Sequence, residues 1–422
     1  MYCLEFVTRI SMDISLERGD LLQLDAITNR GTLKLLPVGK KGKQKLVVGD
    51  DSGQVHCYEF KKGEPQLVFS SKIFEDAVTA VSVGGGTVKK DNMFVASGQK
   101  IVGLTKKGKD FFKLTSSLTE TINHIYVDDT KLWTGCEFIY NLYVNGAERD
   151  FYMCKDIIND MVVDHYTREL EYDVVFGCQD SCLRFVSGSQ LLLEMPTESS
   201  VTVLCDNTGF SGVVMSLLQQ QHMDSTAPLT VRPEQFGSRY IVYGMENGTI
   251  SMEHIQYNNP KTSPGIVPVL TNMCCWKVAD WNRKRISAVT AISVCDINRD
   301  NVGEIVVGRD DGRIEVYLQT NCMNHSNGNV KKFSPPQMIF SREINESIRS
   351  IDCGLVNSTE FYEIIIAAYS GKIISFTTEA VNERAQDDKH GRSVQTVNDE
   401  NRIKFLKAEI DQLKNKVSYL GQ

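Results

Sequence analysis

Short runs of β-branched and aromatic residues recur along the chain. Each leads through a small residue into a tight turn and then into an alternating strand. Seven segments share this grammar: LVVGDDSGQVHCYEF (46–60), MFVASGQKIVGLT (93–105), LWTGCEFIYNLYV (132–144), VVFGCQDSCLRFV (174–186), IVYGMENGTISMEHI (241–255), IVVGRDDGRIEVYL (305–318) and IIIAAYSGKIISF (364–376). Val, Ile, Tyr and Phe suit a pleated strand, and Asp-Gly or Asn-Gly supplies the positive φ of a tight hairpin turn. Gly53, Gly248, Gly312 and Gly371 stand at that turn in four of the seven, four residues after Gly49, Gly244, Gly308 and Ala367. The other three segments are weaker matches. The small residue is expected to sit on a crowded inner strand near a central axis.

Anchored at positions 49, 96, 135, 177, 244, 308 and 367, the units are 47, 39, 42, 67, 64 and 59 residues apart. The first three spacings fit a four-stranded blade of roughly 40–50 residues. The later ones imply insertions, for which the polar segments 206–238, 256–285 and 320–336 are candidates as surface loops. No helical period interrupts residues 20–380, so the fold class is all-β, a seven-bladed β-propeller. Closing the ring removes exposed sheet edges, and Leu21–Leu36 is expected to pair with the last blade. An open array of sandwiches is the alternative.

The pattern changes near the C-terminus. Residues 381–400 form a polar linker, and 401–422 carry apolar residues at Ile403, Leu406, Ile410, Leu413, Val417 and Leu420. Their 3-4 alternation is a heptad repeat. Ile and Val at a with Leu at d favour a parallel two-stranded coiled coil. The e and g positions hold Arg402, Lys407, Lys414 and Lys416 against Glu409, so an acidic partner helix fits better than a second copy. Exposed pairs contribute only about 0–1 kcal/mol each, so the preference is slight. An amphipathic helix packed on its own propeller is the other reading. The stripe is short for an isolated coil and reads as continuing past Gln422. Residues 1–19 read as an N-terminal extension.

Composition narrows the function. The 422 residues are 41% hydrophobic and carry 46 basic against 53 acidic side chains, a net charge of −7. That balance argues against nucleic acid as the partner, because phosphate contacts need concentrated Lys and Arg. The start of the chain lacks the pattern of a signal peptide, and no run of about 18 apolar residues appears. The 12 cysteines lack zinc spacing and read as mostly buried thiols in a reducing, cytoplasmic setting. Two basic runs, Lys40, Lys41, Lys43, Lys45 and Lys106, Lys107, Lys109, read as solvated turns, with membrane contact at most weak or indirect.

Candidate chemistry is sparse. The stretch DINRDNVGE (296–304) places Asp296, Asn298, Asp300 and Glu304 at positions 1, 3, 5 and 9, an oxygen-ligand spacing that suits calcium. A polar turn entering the next strand explains the same residues without a metal. No other cofactor is indicated. There is no Walker-type phosphate loop, no His-Glu-x-x-His and no Gly-x-Ser-x-Gly elbow, so the expectation is not an enzyme.

At the blades the resemblance becomes specific. The stretches QKLVVGDDSGQVHCYEFKKGE (44–64), GLTKKGKDF (103–111), SLTETI (117–122), CQDSCLRFVSGS (178–189), VVGRDDGRIEVY (306–317) and AAYSGKIISFTTE (367–379) resemble the Bardet–Biedl syndrome 7 family. Its members are subunits of the BBSome, a coat-like complex that carries membrane proteins into and out of cilia. The resemblance implies a seven-bladed propeller and a coiled coil pairing with the Bardet–Biedl syndrome 2 protein. It also implies contacts with other BBSome propeller subunits and assembly by chaperonin-type factors. The implied setting is the cytoplasm, cilium, ciliary membrane periphery and basal body, with no enzymatic activity to carry over.

Overall fold

The computed structural model describes residues 14–84, 92–167, 172–205, 238–258, 269–282, 284–299, 303–319, 322–324 and 331–378. Among these residues every regular element is a strand. The strand β1 (Glu17–Gln23) is followed by blade one: β2 (Leu33–Leu35), β3 (Leu46–Gly49), β4 (Val55–Lys61) and β5 (Glu64–Ser70). Blade two is β6 (Val78–Gly84), β7 (Asn92–Ser97), β8 (Lys100–Leu104) and β9 (Asp110–Thr115). Blade three is β10 (His124–Asp128), β11 (Lys131–Gly135), β12 (Ile139–Val144) and β13 (Ala147–Met153). Blade four is β14 (Ile158–Asp164), β15 (Asp173–Cys178), β16 (Cys182–Ser187) and β17 (Gln190–Pro196). Blade five is β18 (Val201–Leu204), β19 (Ser238–Met245), β20 (Ile250–Asn258) and β21 (Val269–Val278).

Blade six begins with β22 (Val289–Cys295), β23 (Glu304–Arg309) and β24 (Arg313–Leu318). A small hairpin, β25 (Cys322–Asn324) and β26 (Lys331–Phe333), then intervenes before the blade is completed by β27 (Gln337–Glu343). Blade seven is β28 (Ile348–Gly354), β29 (Glu363–Ala368) and β30 (Lys372–Thr377), with β1 as its outer strand. That last pairing, from Glu17↔Thr377 to Gln23↔Lys372, locks the two ends of the ring together. The first strands of successive blades touch all the way round, β2 to β6, β10, β14, β18, β22, β28 and back to β2.

Each of the seven repeat segments is the second and third strand of a blade. The second strands lie between neighbouring blades on both faces, which makes them near-continuous apolar runs. β15, β23 and β29 are buried at every residue, whereas the outer strands β5 and β13 are mostly half-buried or exposed. Buried apolar side chains fall into seven clusters, one in each gap between adjacent blades.

The anchor residues lie on the second strand rather than the innermost one, and their crowding comes from the next blade. A Cβ on Gly49 would meet Val78 Cγ1 at 2.4 Å, one on Gly244 would meet Val289 Cγ1 at 2.4 Å, and one on Gly308 would meet Ile348 Cγ2 at 2.5 Å. In blade four the turn position has no glycine, and Ser181 adopts φ 58° in its place.

A second repeated device ties the blades. Five first strands carry a bulge at their second residue, namely Thr79, Asn159, Thr202, Thr290 and Arg349. Three of these extra residues reach into the next blade. Thr79 Oγ1 donates to the Ile122 carbonyl, Asn159 Nδ2 donates to Val201 O at 2.9 Å, and Thr202 Oγ1 donates to Val289 O at 2.6 Å.

Three expectations need correction. The closing strand is Glu17–Gln23, so the propeller begins inside the segment assigned to the extension, while Leu33–Leu35 opens blade one. The segment 256–285 is not only a surface loop, because β20 runs to Asn258 and β21 occupies Val269–Val278. The segment 320–336 contains the β25–β26 hairpin. Of the segment 206–238, only Ser238, the first residue of β19, lies within the described residues. The linker 381–400 and the coiled-coil segment 401–422 lie outside them.

Candidate protein-binding face

The loop 279–288 joins β21 of blade five to β22 of blade six. Its geometry is set by buried charge. On β24, Arg313, Glu315 and Tyr317 alternate with Ile314, Val316 and Leu318, so the polar set faces blade five and the apolar set faces blade seven. Arg309, at the end of β23, joins the polar set. Asp280 enters from the loop.

The Arg313 guanidinium donates a fork to Asp280, Nη1 to Oδ1 at 2.9 Å and Nη2 to Oδ2 at 2.7 Å. Asp280 also accepts the backbone N–H groups of Asn282 at 2.9 Å and Ser287 at 3.2 Å, which pins both ends of the loop. Arg309 Nε donates to Glu315 Oε2 at 2.8 Å, and its Nη1 donates to the carbonyls of Gly248 and Ser287. Glu315 Oε1 accepts the Trp281 indole N–H at 2.9 Å, and Glu315 Oε2 accepts the Tyr317 hydroxyl at 2.8 Å. Arg313 Nε donates to Asp311 Oδ2 at 2.8 Å, and its guanidinium lies 5.6 Å from the Trp281 ring centroid.

The side chains of Asp280, Arg309, Arg313, Glu315 and Asp311 are all under 8% exposed. Burial opposes ionisation of Asp280, but the Arg313 fork and the two N–H groups prevail and hold its carboxyl below the usual range. Arg309 is likewise desolvated, yet Glu315 and its neighbours raise its pKa. Above this network the loop presents Trp281 at 54% exposure and Ile286 at 62%. Lys284 and Arg285 lie between them and are also exposed. Arg285 Nη1 reaches Glu343 at 3.0 Å.

The candidate calcium loop has a different geometry. Glu304 is fully buried at the start of β23, where Oε2 accepts the Ile297 N–H at 2.9 Å and Oε1 accepts Asn298 Nδ2 at 2.7 Å. The same arrangement recurs where no ligand spacing exists. Glu363 opens β29 and accepts both N and Nδ2 of Asn357, and Asp173 opens β15 and accepts the N–H groups of Tyr166 and Thr167. An acid at the first position of the second strand therefore anchors the loop before it. Asp296 stands in the same turn, and Asp300 lies outside the described residues. Among the described residues no group of three or more His, Cys, Asp or Glu is arranged to hold a metal.

The basic runs serve turns. Lys43 Nζ donates to the Asn357 carbonyl of blade seven, Lys45 faces Glu59 at 3.9 Å, and Lys106 to Lys109 lie in the turn between β8 and β9. Most described cysteines are buried, and burial pushes Cys57 and Cys136 up to about 12. The six heptad positions Ile403 to Leu420 lie outside the described residues.

Sequence reasoning missed the Trp281 loop. Half of the network was legible as the Arg-x-Glu-x-Tyr alternation at 313–317. Its partners fell in a segment read as an insertion, and only the ring brings residues 280 and 313 together.

Two crystal structures of BBS1N in complex with ARL6DN, one soaked with mercury and one with lead, share this fold. Each matches with a TM-score of 0.57 and 12% identity, covering 88% of this chain and 98% of that one. The chain is 29% identical over 408 residues to BBSome complex member BBS7 of Mus musculus, covering 96% of this chain and 50% of the mouse protein. It is 22% identical over 364 residues to BBSome complex member bbs-7 of Caenorhabditis elegans, covering 85% of this chain and 43% of that protein. The chain thus spans about half the length of the curated relatives it matches. Residues 33–378, from the first strand of blade one to the end of blade seven, match the family described as BBS7 beta-propeller, and the chain belongs to that family.

Proposed function

We propose that the chain is a subunit of the BBSome and acts there as a non-catalytic scaffold for trafficking membrane proteins to and from the cilium. The observation that carries this reading is the family match across all seven blades, joined to relatives named as BBSome complex members. A closed ring of seven four-stranded blades, with only short outer edges, offers rigid loop faces for other proteins. Its buried acids support the non-catalytic reading, since Asp173, Glu304, Glu363, Asp280 and Glu315 spend their carboxylates on loop N–H groups and arginines. The setting proposed is the cytoplasm and the ciliary base and membrane periphery, with membrane contact indirect.

Within that assembly the coiled-coil segment pairs with the Bardet–Biedl syndrome 2 protein through Ile403, Leu406, Ile410, Leu413, Val417 and Leu420. The propeller contacts other propeller subunits, and chaperonin-type factors assist assembly. The test is co-expression with the remaining BBSome subunits followed by sizing, for the intact chain and for a Leu406→Asp, Leu413→Asp variant, with circular dichroism as a fold check. Co-elution of the intact chain with the complex, and loss of the Bardet–Biedl syndrome 2 protein from the variant, support the reading. An intact chain that joins no subunit refutes it, and a variant that pairs normally refutes the coil as the pairing element.

A further inference from the structure

The buried network of blades five and six is costly for what it stabilises. Five charged side chains leave water, and such clusters commonly contribute no more than well-packed apolar residues would. One polar atom within it, Arg309 Nη2, has no hydrogen-bond partner among the described residues. What the network does achieve is positional. It ties together the start and the end of the connection between β21 and β22, through Asp280 to the N–H groups of Asn282 and Ser287 and through Arg309 to Ser287 O. It also holds Trp281 by its indole N–H and by the Arg313 guanidinium against its ring. Yet this immobilised ring remains 54% exposed, and Ile286 at the other end of the turn is 62% exposed.

An exposed Trp already fixed in one orientation loses little conformational freedom when it is buried, which is the property of interface hot spots. Trp and Arg are also enriched at such sites. We infer that Trp281, Ile286, Lys284 and Arg285 form a protein-docking surface separate from the coiled coil, and that its partner presents an apolar pocket flanked by carboxylates.

Charge sets the partner's chemistry. Lys284 is exposed and makes no ion pair among the described residues, and Arg285 is 57% exposed beside Glu343. A carboxylate on the partner would meet Lys284 at the edge of the apolar pair. A flat anionic lipid surface fits less well, because it would face exposed Asp310 and Glu343 together with Lys284, whereas a single partner carboxylate need meet only Lys284. The inference rests on the assembly reading for its partner, another subunit of the same complex.

The experiment uses the full chain assembled with the remaining BBSome subunits. A benzophenone amino acid replaces Ile286, and the cross-linked peptide is identified by mass spectrometry. Separately, Ile286→Asp and Lys284→Glu, which leave the buried network untouched, are compared with the intact chain for dissociation from the complex. Trp281→Ala is measured beside them, with its melting curve to report any loss of fold. The expected result is a cross-link to one subunit at a segment holding Asp or Glu beside apolar residues. Dissociation should be about tenfold faster for Ile286→Asp and about thirtyfold faster for Trp281→Ala.

Unchanged dissociation for Ile286→Asp and Lys284→Glu, or a cross-link only within this chain or to a second copy of it, overturns the inference while leaving the assembly reading intact. Binding to phosphatidylserine vesicles that the two variants lose, with subunit dissociation unchanged, assigns the loop to lipid and also overturns it. An intact chain that joins no subunit overturns both readings.

Discussion

At the scale of single residues, the repeat is a packing rule. In blades one, four, five and six the second strand comes against the β-branched residue that opens the next blade, Val78, Val201, Val289 or Ile348, and only a very small side chain leaves room. At Gly244 an added Cβ would lie 2.4 Å from Val289 Cγ1 and 2.5 Å from its Cβ, with Val203 Cγ1 at 3.0 Å. Gly244→Ala is therefore expected to destabilise the propeller by about 1–3 kcal/mol through overpacking, despite the better strand propensity of Ala. Chemical denaturation measures this. Val289→Ala in the same chain should recover part of the loss, giving a coupling of about 0.5–3 kcal/mol in the double-mutant cycle. Additive effects would place the strain elsewhere. These small residues were visible as a period in the sequence, but their neighbours were not, because the contact runs between blades rather than along the strand.

At the scale of elements, visibility followed burial. The second strand of each blade is covered on both faces and, with the third, reads as an apolar hairpin. The outer strand β21 and the hairpin β25–β26 lie in stretches rich in Asn and Pro, which read as loops. The Trp281 loop was hidden for a related reason, since its order comes from ion pairs made across blades. Removing Asp280 leaves Arg313 without its fork and Arg309 with one acid fewer, so Asp280→Asn should cost about 3–5 kcal/mol, read as a drop in melting temperature.

The pH response of this element has a definite sign. The folded-state pKa of Asp280 is depressed, so its contribution is fully present above the unfolded value, about 3.9. It is lost as pH falls through the lower folded value. Acidification below about pH 4 should therefore release the loop, read as a change in Trp281 fluorescence that a Trp281→Phe variant lacks. Constant emission down to the global acid transition would mean that the loop is held by other contacts.

The Glu304 loop is an element-scale question of the same kind. Its carboxylate oxygens already accept Ile297 N–H and Asn298 Nδ2, as Glu363 and Asp173 do in their own blades. Glu304→Ala should cost about 1–3 kcal/mol by orphaning the Ile297 N–H. If the residue works as an anchor, millimolar calcium or a chelator leaves the melting temperature of the intact chain unchanged. A rise with calcium that Asp300→Asn abolishes would instead establish the ion site that the spacing of Asp296, Asn298, Asp300 and Glu304 suggests.

At the scale of the whole molecule, the ring depends on one pairing between the beginning and the end of the propeller. Blade seven supplies three strands of its own, and β1 completes it by pairing along β30 from Thr377 to Lys372. Without β1, the edge of β30 would offer unpaired N–H and C=O groups on the sequence KIISFT. That is an apolar, β-prone template for pairing with another chain. The sequence pointed to closure through its seven repeat units and the N-terminal stretch Leu21–Leu36, but it placed the strand a few residues too late. Alternation is weak across Glu17–Gln23, where only Leu21 is buried. Deleting the chain up to Gln23 should therefore convert a monodisperse propeller into one that associates through blade seven. Light scattering after size exclusion would show this, along with faster amide exchange in β30 than in the corresponding third strand β24. The gap between blades seven and one keeps most of its apolar cluster in that deletion, including Leu33, Leu35, Leu46, Ile365 and Ile373. A truncated chain that stays monodisperse with slow exchange in β30 would show that this cluster, rather than the strand pairing, holds the ring shut.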